Sequence, residues 1–379
     1  MNKTSIVRNI FDAKRIVVKI GSSLLVDTNT GLLRTTWLRA LAQDIKRFRD
    51  RGQEIIIVSS GAVALGRNYL DIHSPELRLE EKQAAAAAGM VRLAHAYQEA
   101  FESYRITIAQ ILLTRDDSEN RRRYLNARST LMTLLELGSI PLINENDTVA
   151  TEEIRFGDND RLAARVGAMI SADLLILLSD IDGLYSSDPN KNSNAKLVPE
   201  VSDITMEIES MAGEAQSNLS SGGMVTKILA AKECLAAGCS MLIAKGSEVN
   251  PLLAIENEAK CTWFRPNGTP YTARKKWIAS TLKPIGSFVV DMGAINALKK
   301  GKSLLPAGVI SIIGEFQRGD SIAIETTEGI EIGRGLSAYS SNDAQLIMGH
   351  KSREIYEILG YHGRDEFIHR DDLVINKDI

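Results

Sequence analysis

Cysteine residues are few in this sequence, and metal-binding patterns are absent from it. Its 379 residues include three cysteines, Cys234, Cys239 and Cys261, and no C-x-x-C spacing. An odd number of unpaired cysteines argues against a disulfide framework. Neither these cysteines nor the five histidines show the ligand spacing of a zinc site. The sequence therefore predicts a chain that suits a reducing compartment and holds no metal of its own.

Long apolar runs and a large excess of charge of one sign are also missing. No segment reaches the ~18 uncharged apolar residues of a membrane span, so we expect no membrane attachment and a cytoplasmic location. The formal net charge is −3, which provides no global electrostatic reason to bind nucleic acid or an anionic membrane. A local basic patch stays open as an alternative.

Two common nucleotide-binding motifs are absent. Gly301, Lys302 and Ser303 would end a G-x-x-x-x-G-K-S loop, but Asn296 stands where its first glycine is needed. The segment GRGLSA (333–338) imitates a dinucleotide fingerprint without opening a helix of a βαβ unit, so we interpret it as a turn. The sequence therefore predicts neither a P-loop nor a Rossmann site.

Short apolar runs that alternate with helical patterns indicate the fold class. A chain of this length exceeds one hydrophobic core, so we expect two domains. Six runs are short and apolar on both faces, which is typical of buried parallel strands. They are residues 15–20, 54–58, 106–112, 140–144, 174–178 and 240–244. Residues 1–265 are therefore predicted to form an α/β fold, a three-layer αβα sandwich with a mostly parallel sheet.

The composition changes after this region. The turn-rich segment RPNGTP (265–270) and the basic stretch behind it predict a linker over residues 266–282. Short strand-like pieces with closely spaced glycines follow, and they predict a small, mainly β domain over residues 283–365.

The first candidate for chemistry is Lys19, which lies near the end of the first predicted strand and just before Gly21. Ligands of open α/β sheets gather at the carboxyl ends of the strands, where glycine lets backbone N–H groups approach a phosphate and lysine adds a full charge. The alternative is a lysine that simply points into water.

The second candidate is Lys227, in the first turn of a predicted helix that Gly222, Gly223 and Met224 precede. A Gly-Gly entry exposes the first N–H groups of the helix, which together with Lys227 would form an anion site. Two such sites could hold one polyphosphate between them. A surface loop whose glycines only permit a turn is the alternative.

Clustered amides and carboxylates lie between the two lysines in sequence. Such groups are costly to bury without partners, yet both clusters border apolar structure that should hold them at the edge of the sheet that bears the ligand. Helix capping by an Asp or Asn is the competing interpretation, and the two roles can coexist. The residues are Asn144 and Asp147 in the first cluster, and Asp158, Asn159 and Asp160 in the second.

Serine residues follow two more of the predicted strands. Ser60 follows the second strand and opens a helix, where its hydroxyl and the free N–H groups suit a carboxylate. Ser179 and Asp180 occupy the same position after the run LLILL, next to a turn that could border a nucleotide. Capping and turn chemistry alone could explain both segments.

The order of these motifs resembles the amino-acid kinase family. The motifs are VVKIGSS (17–23), VSSGA (58–62), INEND (143–147), GDND (157–160), LLSDIDGLY (177–185) and SGGMVTK (221–227). INEND and GDND resemble most closely the members that phosphorylate the γ-carboxylate of glutamate. The tail, with KSLLPAGV (302–309), FQRGD (316–320) and IGRGLSAYSSND (332–343), resembles a PUA domain, a type that often binds RNA elsewhere.

The resemblance implies a role for each matching residue. Lys19 and Lys227 would contact the transferred phosphoryl group, and Asp160 would organise them. Glutamate would bind to Ser60, Asn144, Asp147, Asp158 and Asn159. ATP would be bound by Lys19, Ser179, Asp180, Ser221, Gly222, Gly223, Met224, Val225, Thr226 and Lys227.

The implied reaction is the ATP-dependent, Mg²⁺-assisted formation of L-glutamyl 5-phosphate, the first step of proline biosynthesis. Alternatives are a family member acting on N-acetylglutamate, aspartate or UMP, and an RNA-binding protein on a kinase scaffold. The resemblance also implies a homo-oligomer, a dimer or tetramer, and delivery of the acyl phosphate to a glutamyl phosphate reductase. RNA would be a secondary ligand of the tail.

Overall fold

The computed structural model divides the chain into two compact units, Met1–Pro270 and Tyr271–Ile379. It describes residues 7, 9–74, 76–149, 159–213, 223–281 and 283–376. In these residues no helix is both long and apolar enough to cross a membrane.

The first unit is an α/β structure. Its strands are β1 (Arg15–Ile20), β2 (Glu54–Ser59), β3 (Ile108–Leu113), β4 (Ile140–Glu145), β5 (Leu174–Ser179), β6 (Leu184–Tyr185), β7 (Leu197–Val198), β8 (Glu200–Val201), β9 (Ser240–Lys245) and β10 (Cys261–Phe264). Its helices are α1 (Ser22–Leu25), α2 (Thr35–Asp50), α3 (Ala62–Tyr69), α4 (Leu79–Glu102), α5 (Arg115–Glu119), α6 (Arg121–Glu136), α7 (Asn159–Ile170), α8 (Met206–Met211), α9 (Met224–Ala236) and α10 (Pro251–Glu256).

One large sheet organises this unit. Its strand order is β3-β4-β2-β1-β5-β9-β10-β8, and β10 runs antiparallel to β9 while the six strands from β3 to β9 are parallel. Those six are the strands predicted from the apolar runs. In all of them except the edge strand β3, burial on both faces leaves near-continuous apolar sequence. The predicted three-layer αβα sandwich with a mostly parallel sheet is confirmed.

Helices cover both faces of the sheet. Alternate strand residues divide the core, so Ile16 and Val18 of β1 belong to the cluster with α2 and α4, whereas Val17 belongs to the cluster with α6, α7 and α9. Lys19 continues the alternation from Val17. Its side chain therefore emerges on the α7 and α9 side, at the carboxyl ends of the parallel strands.

Helices α3 and α4 cross at two glycines. A Cβ atom on Gly66 would lie 1.7 Å from the carbonyl oxygen of Ala85, and one on Gly89 would lie 1.8 Å from the carbonyl oxygen of Ala62. Any side chain at either position would therefore force the helices apart. This close crossing fixes α4 against the helix that follows β2.

The second unit is built around a five-stranded sheet of order β12-β11-β13-β14-β15. Its strands are β11 (Gly286–Val290), β12 (Val309–Ile313), β13 (Ser321–Glu325), β14 (Glu331–Leu336) and β15 (Leu373–Ile375), and its helices are α11 (Pro270–Thr281), α12 (Met292–Lys299), α13 (Ser341–Ile347) and α14 (Ile355–Leu359). Residues 266–282, predicted as a linker, thus carry α11. The predicted mainly-strand sheet of this unit is confirmed.

The interpretation of residues 333–338 as a turn is wrong for its first four residues, which belong to strand β14. Gly333 and Gly335 face β15 so closely that a Cβ would lie 2.3 Å from the Val374 carbonyl oxygen and 2.8 Å from the Asp372 carbonyl oxygen. The glycines therefore permit close strand contact, and they do not form a turn.

Candidate active site

Lys19 lies at the centre of the sheet's carboxyl edge. It pairs in register with Val58 of β2 on one side and with Leu177 of β5 on the other. Its exposed fraction is only 7%, so it is not the solvated edge lysine of the alternative interpretation. A buried ammonium group requires a carboxylate or an anionic ligand nearby.

Asp160, in the first turn of α7, provides that carboxylate and connects both lysines. Lys19 Nζ lies 2.7 Å from Asp160 Oδ1, and Lys227 Nζ lies 3.1 Å from Asp160 Oδ2. Lys227 and Asp160 are 4% and 1% exposed. Two lysines that are 208 positions apart in sequence are thus held on the two oxygens of one carboxylate.

Burial alone would raise the pKa of Asp160, but the charges of Lys19 and Lys227 and their hydrogen bonds outweigh burial and hold this pKa below its ordinary value. The carboxylate is therefore ionised at neutral pH. Two ammonium groups and one carboxylate leave one positive charge in excess within this buried triad. Such an excess suits a polyanionic ligand, which would complete the charge balance.

The start of α9 contributes a further contact to Asp160. The Thr226 hydroxyl lies 2.9 Å from Asp160 Oδ2 and 2.8 Å from the Gly223 carbonyl oxygen. Gly223 is the residue before the helix, and Met224 and Val225 open it. The first N–H groups of α9 thus lie beside the lysine pair. Ser221 and Gly222, which the sequence also assigned to ATP, lie outside the described residues.

Asn159, next to Asp160 on α7, organises a second polar group. Its side-chain amide Nδ2 lies 2.8 Å from Ser60 Oγ, 3.2 Å from Asn144 Oδ1 and 3.2 Å from the Ser59 carbonyl oxygen. Its own Oδ1 is buried and accepts no hydrogen bond from the described residues. An unused buried acceptor of this kind suits a donor on a ligand.

Asp147 opens a short 3₁₀ helix, Asp147–Val149, directly after β4 and is 7% exposed. Burial, and secondly repulsion from Glu145, raises the pKa of this carboxyl group from 3.8 to about 7. A cation beside Asp147 would reverse that shift. Asp158, the other predicted acidic contact, lies outside the described residues.

Ser179 is the last residue of β5, the strand next to β1, and Asp180 follows it. Ser179 Oγ donates to Asp180 Oδ1 over 2.8 Å, and Gly246 N donates to the Ser179 carbonyl oxygen over 2.7 Å. Among the described residues, Ser179, Asp180 and Asp147 form no hydrogen bond or ion pair with Lys19, Asp160 or the Asn159 group. These three residues follow strands that end at the same edge of the sheet.

Two contacts behind the Asn159 group were not predicted. The Tyr97 hydroxyl on α4 lies 3.0 Å from Ser59 Oγ, and Asn144 Nδ2 lies 3.4 Å from Met90 Sδ. In sequence, Tyr97 follows Leu93 and precedes Phe101 at helical spacing, a pattern that indicates only a core face. No sequence signal distinguishes its hydroxyl from an ordinary buried tyrosine.

No metal centre is formed by the part of the chain that is described, in which no three His, Cys, Asp or Glu side chains come together as ligands. Asp160, the most buried acid of the site, has both oxygens engaged by lysines. The side chains of the site therefore suit a metal ion that enters bound to a phosphate ligand better than one that the protein alone coordinates.

Comparison with known proteins agrees with this architecture. The model of the amino acid kinase family matches residues 14–245, and the PUA domain matches residues 286–359. The chain therefore belongs to the amino acid kinase family. The predicted resemblance to that family and to a PUA domain is confirmed.

Curated relatives match nearly the whole chain. Glutamate 5-kinase of Paramagnetospirillum magneticum is 61% identical over 96% of this chain and 98% of that protein. Glutamate 5-kinase of Agrobacterium fabrum is 58% identical over 95% of this chain and 92% of that protein. Among solved structures, carbamate kinase from Giardia lamblia bound to AMP-PNP is 15% identical, covers 68% of this chain and 100% of its own, and has a TM-score of 0.48.

Proposed function

We propose that this chain transfers the γ-phosphoryl group of ATP to the γ-carboxylate of L-glutamate, forming L-glutamyl 5-phosphate in the first step of proline biosynthesis. The observation that carries the proposal is the buried triad in which Asp160 holds Lys19 and Lys227 on its two oxygens. Curated relatives that are 55–61% identical over nearly the whole chain and are named glutamate 5-kinase support the choice of substrate.

The reaction joins two anions, so its main requirement is electrostatic. A carboxylate oxygen of glutamate forms a bond to the γ-phosphorus while the bond to the β,γ-bridging oxygen breaks and ADP leaves. With a reference pKa of about 4.3 the carboxyl group is already ionised, so no general base is required. Lys19 and Lys227 stabilise the charge on the transferred group, and Asp160 positions them.

ATP occupies the side of β5 and α9 in this proposal. The first N–H groups of α9, from Gly223 to Thr226, face its phosphates, and Ser179 and Asp180 border the nucleotide. Mg²⁺ enters on the phosphates of ATP, which fits the lack of a protein ligand cluster among the described residues. The roles of Ser221 and Gly222 rest on the sequence motif alone.

Glutamate occupies the side of β2 and β4. Asp147 binds its α-ammonium group, because a buried carboxylate with a raised pKa gains most from a cation. The unused Oδ1 of Asn159 accepts a hydrogen bond from the ligand, and Ser60 and Asn144 complete the polar wall. A free amino acid fits Asp147 better than N-acetylglutamate or UMP, which have no ammonium group.

A hydroxamate assay with each acceptor in turn tests the proposal. Glutamate with ATP is expected to yield hydroxamate, whereas N-acetylglutamate and aspartate should yield far less, and UMP should accept no phosphate. Equal or better turnover of another acceptor would reject glutamate. No turnover together with salt-sensitive RNA retention on filters would favour the RNA-binding alternative for the PUA unit.

Replacing Lys227 by Ala tests the catalytic triad. The kcat is expected to fall by ~10²-fold or more, the scale of losing one preorganised charge. Lys232→Ala is the matched control, since Lys232 lies on the same helix in an exposed ion pair with Glu209. A folded Lys227→Ala variant with normal turnover would remove Lys227 from the mechanism.

The proposal extends to assembly and to the fate of the product. We include a homo-oligomer, either dimer or tetramer, which light scattering of the purified protein tests. An acyl phosphate is readily hydrolysed in water, so a reductase that receives glutamyl phosphate from this chain is part of the same proposal. Co-purification of the two enzymes would be its direct test.

A further inference from the structure

Helix α4 makes a hydrogen bond that the proposed mechanism does not use. The hydroxyl of Tyr97 lies 3.0 Å from Ser59 Oγ, and both residues are fully buried. Tyr97 lies within the core cluster on the α2 and α4 side of the sheet and has no exposed surface of its own. It can therefore act on a ligand only through Ser59.

The direction of this hydrogen bond follows from its neighbours. The Ser59 hydroxyl lies 3.1 Å from the Ser60 carbonyl oxygen, which can only accept. When the single proton of Ser59 is directed there, Tyr97 is the donor to Ser59. Burial raises the pKa of Tyr97 well above its ordinary value, so the phenol keeps its proton at neutral pH. In that arrangement the chain of donation runs from Tyr97 through Ser59 to Ser60.

This chain ends on the residues assigned to glutamate. The Ser59 carbonyl oxygen accepts from Asn159 Nδ2 over 3.2 Å, and the same amide lies 2.8 Å from Ser60 Oγ. Ser60 N donates to the Ile20 carbonyl oxygen over 3.1 Å. Ser59 is thus hydrogen-bonded to Tyr97, Ser60 is hydrogen-bonded to Ile20 of β1, and the Asn159 side chain is hydrogen-bonded to both serines.

Helix α4 also contacts a second polar residue of the proposed glutamate subsite. Met90, seven residues before Tyr97 and so two turns away on the same face, lies 3.4 Å from Asn144 Nδ2. The close crossing at Gly66 and Gly89 prevents α4 from shifting against α3. One rigid helix therefore supports two of the polar residues around the proposed glutamate subsite.

We propose that Tyr97 is a positioning residue for the glutamate subsite, and that its hydroxyl fixes Ser59 and through it the Ser60 and Asn159 side chains. The inference rests on the proposed function, because it concerns where the glutamate chain is held. It assigns Tyr97 no contact with ATP, glutamate or the lysine triad.

Tyr97→Phe tests the proposal because it removes the hydroxyl and keeps the ring in the core. The KM for glutamate is expected to rise ~3- to 10-fold, the effect of losing one neutral hydrogen bond, while the KM for ATP stays within about 2-fold. Tyr104→Phe is the matched control. Tyr104 packs against the same core, and its hydroxyl makes no hydrogen bond with the described residues, so this variant should match the wild type.

Ser59→Ala provides an independent variant. It removes the hydroxyl to which Tyr97 is bonded, so it should raise the KM for glutamate to a similar degree. The double variant should have a KM for glutamate no higher than that of the poorer single variant. An unchanged KM for glutamate in both single variants would overturn the proposal. Equal rises in the KM values for glutamate and ATP would also overturn it, since they would indicate general loosening of the fold.

Failure of the proposed function has a different signature. If the wild type forms no hydroxamate with glutamate and gains no thermal stability from added glutamate, the substrate assignment is at fault. If the wild type turns glutamate over and Tyr97→Phe shows the same glutamate KM and the same glutamate-induced shift of Tm, only the role of Tyr97 is rejected.

Discussion

Asp147→Asn should stabilise the empty protein while it weakens glutamate binding. Burial, followed by repulsion from Glu145, raises the pKa of Asp147 from 3.8 to about 7. A folded-state pKa above the unfolded value means that the native state holds the proton to higher pH. Ionisation of Asp147 therefore lowers the free energy of unfolding, and this cost grows between about pH 4 and about pH 7 and is constant above that range.

The size of the effect follows from the shift. A difference of ~3 pKa units corresponds to ~4 kcal/mol when Asp147 is fully ionised in both states. Asparagine has nearly the same shape and no charge, so Asp147→Asn removes this cost. At about pH 8 we expect the variant to exceed the wild type by ~2–4 kcal/mol in free energy of unfolding.

Urea unfolding without ligand at several pH values measures the difference. It should fall to about half near pH 5.5 and vanish below about pH 3, where the carboxyl group of Asp147 is protonated in both states. Asp203→Asn, at an exposed position, is the control and should show no such trend. A variant that is no more stable than the wild type at pH 8 would refute the reasoning about burial.

Glutamate binding completes the argument. If its ammonium group lies beside Asp147, binding lowers the pKa of Asp147 and releases a proton, so the KM for glutamate should fall as pH rises towards about 7. The Asp147→Asn variant should have a higher KM with little pH dependence in this range. A wild-type KM that does not vary with pH would separate Asp147 from the ammonium group.

Two glycine substitutions test the fold. Gly89→Ala should lower the free energy of unfolding by ~2 kcal/mol or more, because its Cβ would lie 1.8 Å from the Ala62 carbonyl oxygen; an unchanged urea midpoint would contradict the close crossing of α3 and α4. Gly333→Ala should destabilise the second unit by ~1–3 kcal/mol, because its Cβ would lie 2.3 Å from the Val374 carbonyl oxygen. Unaltered hydrogen exchange in β14 and β15 would contradict this strand contact.

The central strands were predictable because each is buried on both faces. Runs such as LLILL in β5 contain no polar residue that could obscure the pattern. Strand β10, CTWF, was missed since it runs antiparallel near the edge of the sheet and only alternate residues are buried. The glycines of β14 were wrongly interpreted as a turn for a different reason. Glycine is favoured both in turns and where a neighbouring strand approaches closely.

In the site, the sequence points to the charged residues but not to the side chains that support them. Lys19 and Lys227 follow positional rules, a strand end and a glycine-preceded helix, that sequence displays directly. The hydrogen bonds from Tyr97 to Ser59 and from Thr226 to Asp160 join elements that lie far apart in sequence. Only the three-dimensional arrangement of the helices reveals such partners.

Adjacent residues on α7 connect the two proposed subsites. Successive helical positions are rotated by ~100°, so Asn159 and Asp160 direct their side chains to different neighbours. Asn159 bonds to the ends of β2 and β4, whereas Asp160 holds the lysines of β1 and α9. A shift of the first turn of α7 would therefore move the glutamate-side amide and both phosphoryl-side lysines together. Because one helical turn carries both contacts, the proposed mechanism makes the distance between the attacking carboxylate and the γ-phosphate depend on the backbone of α7.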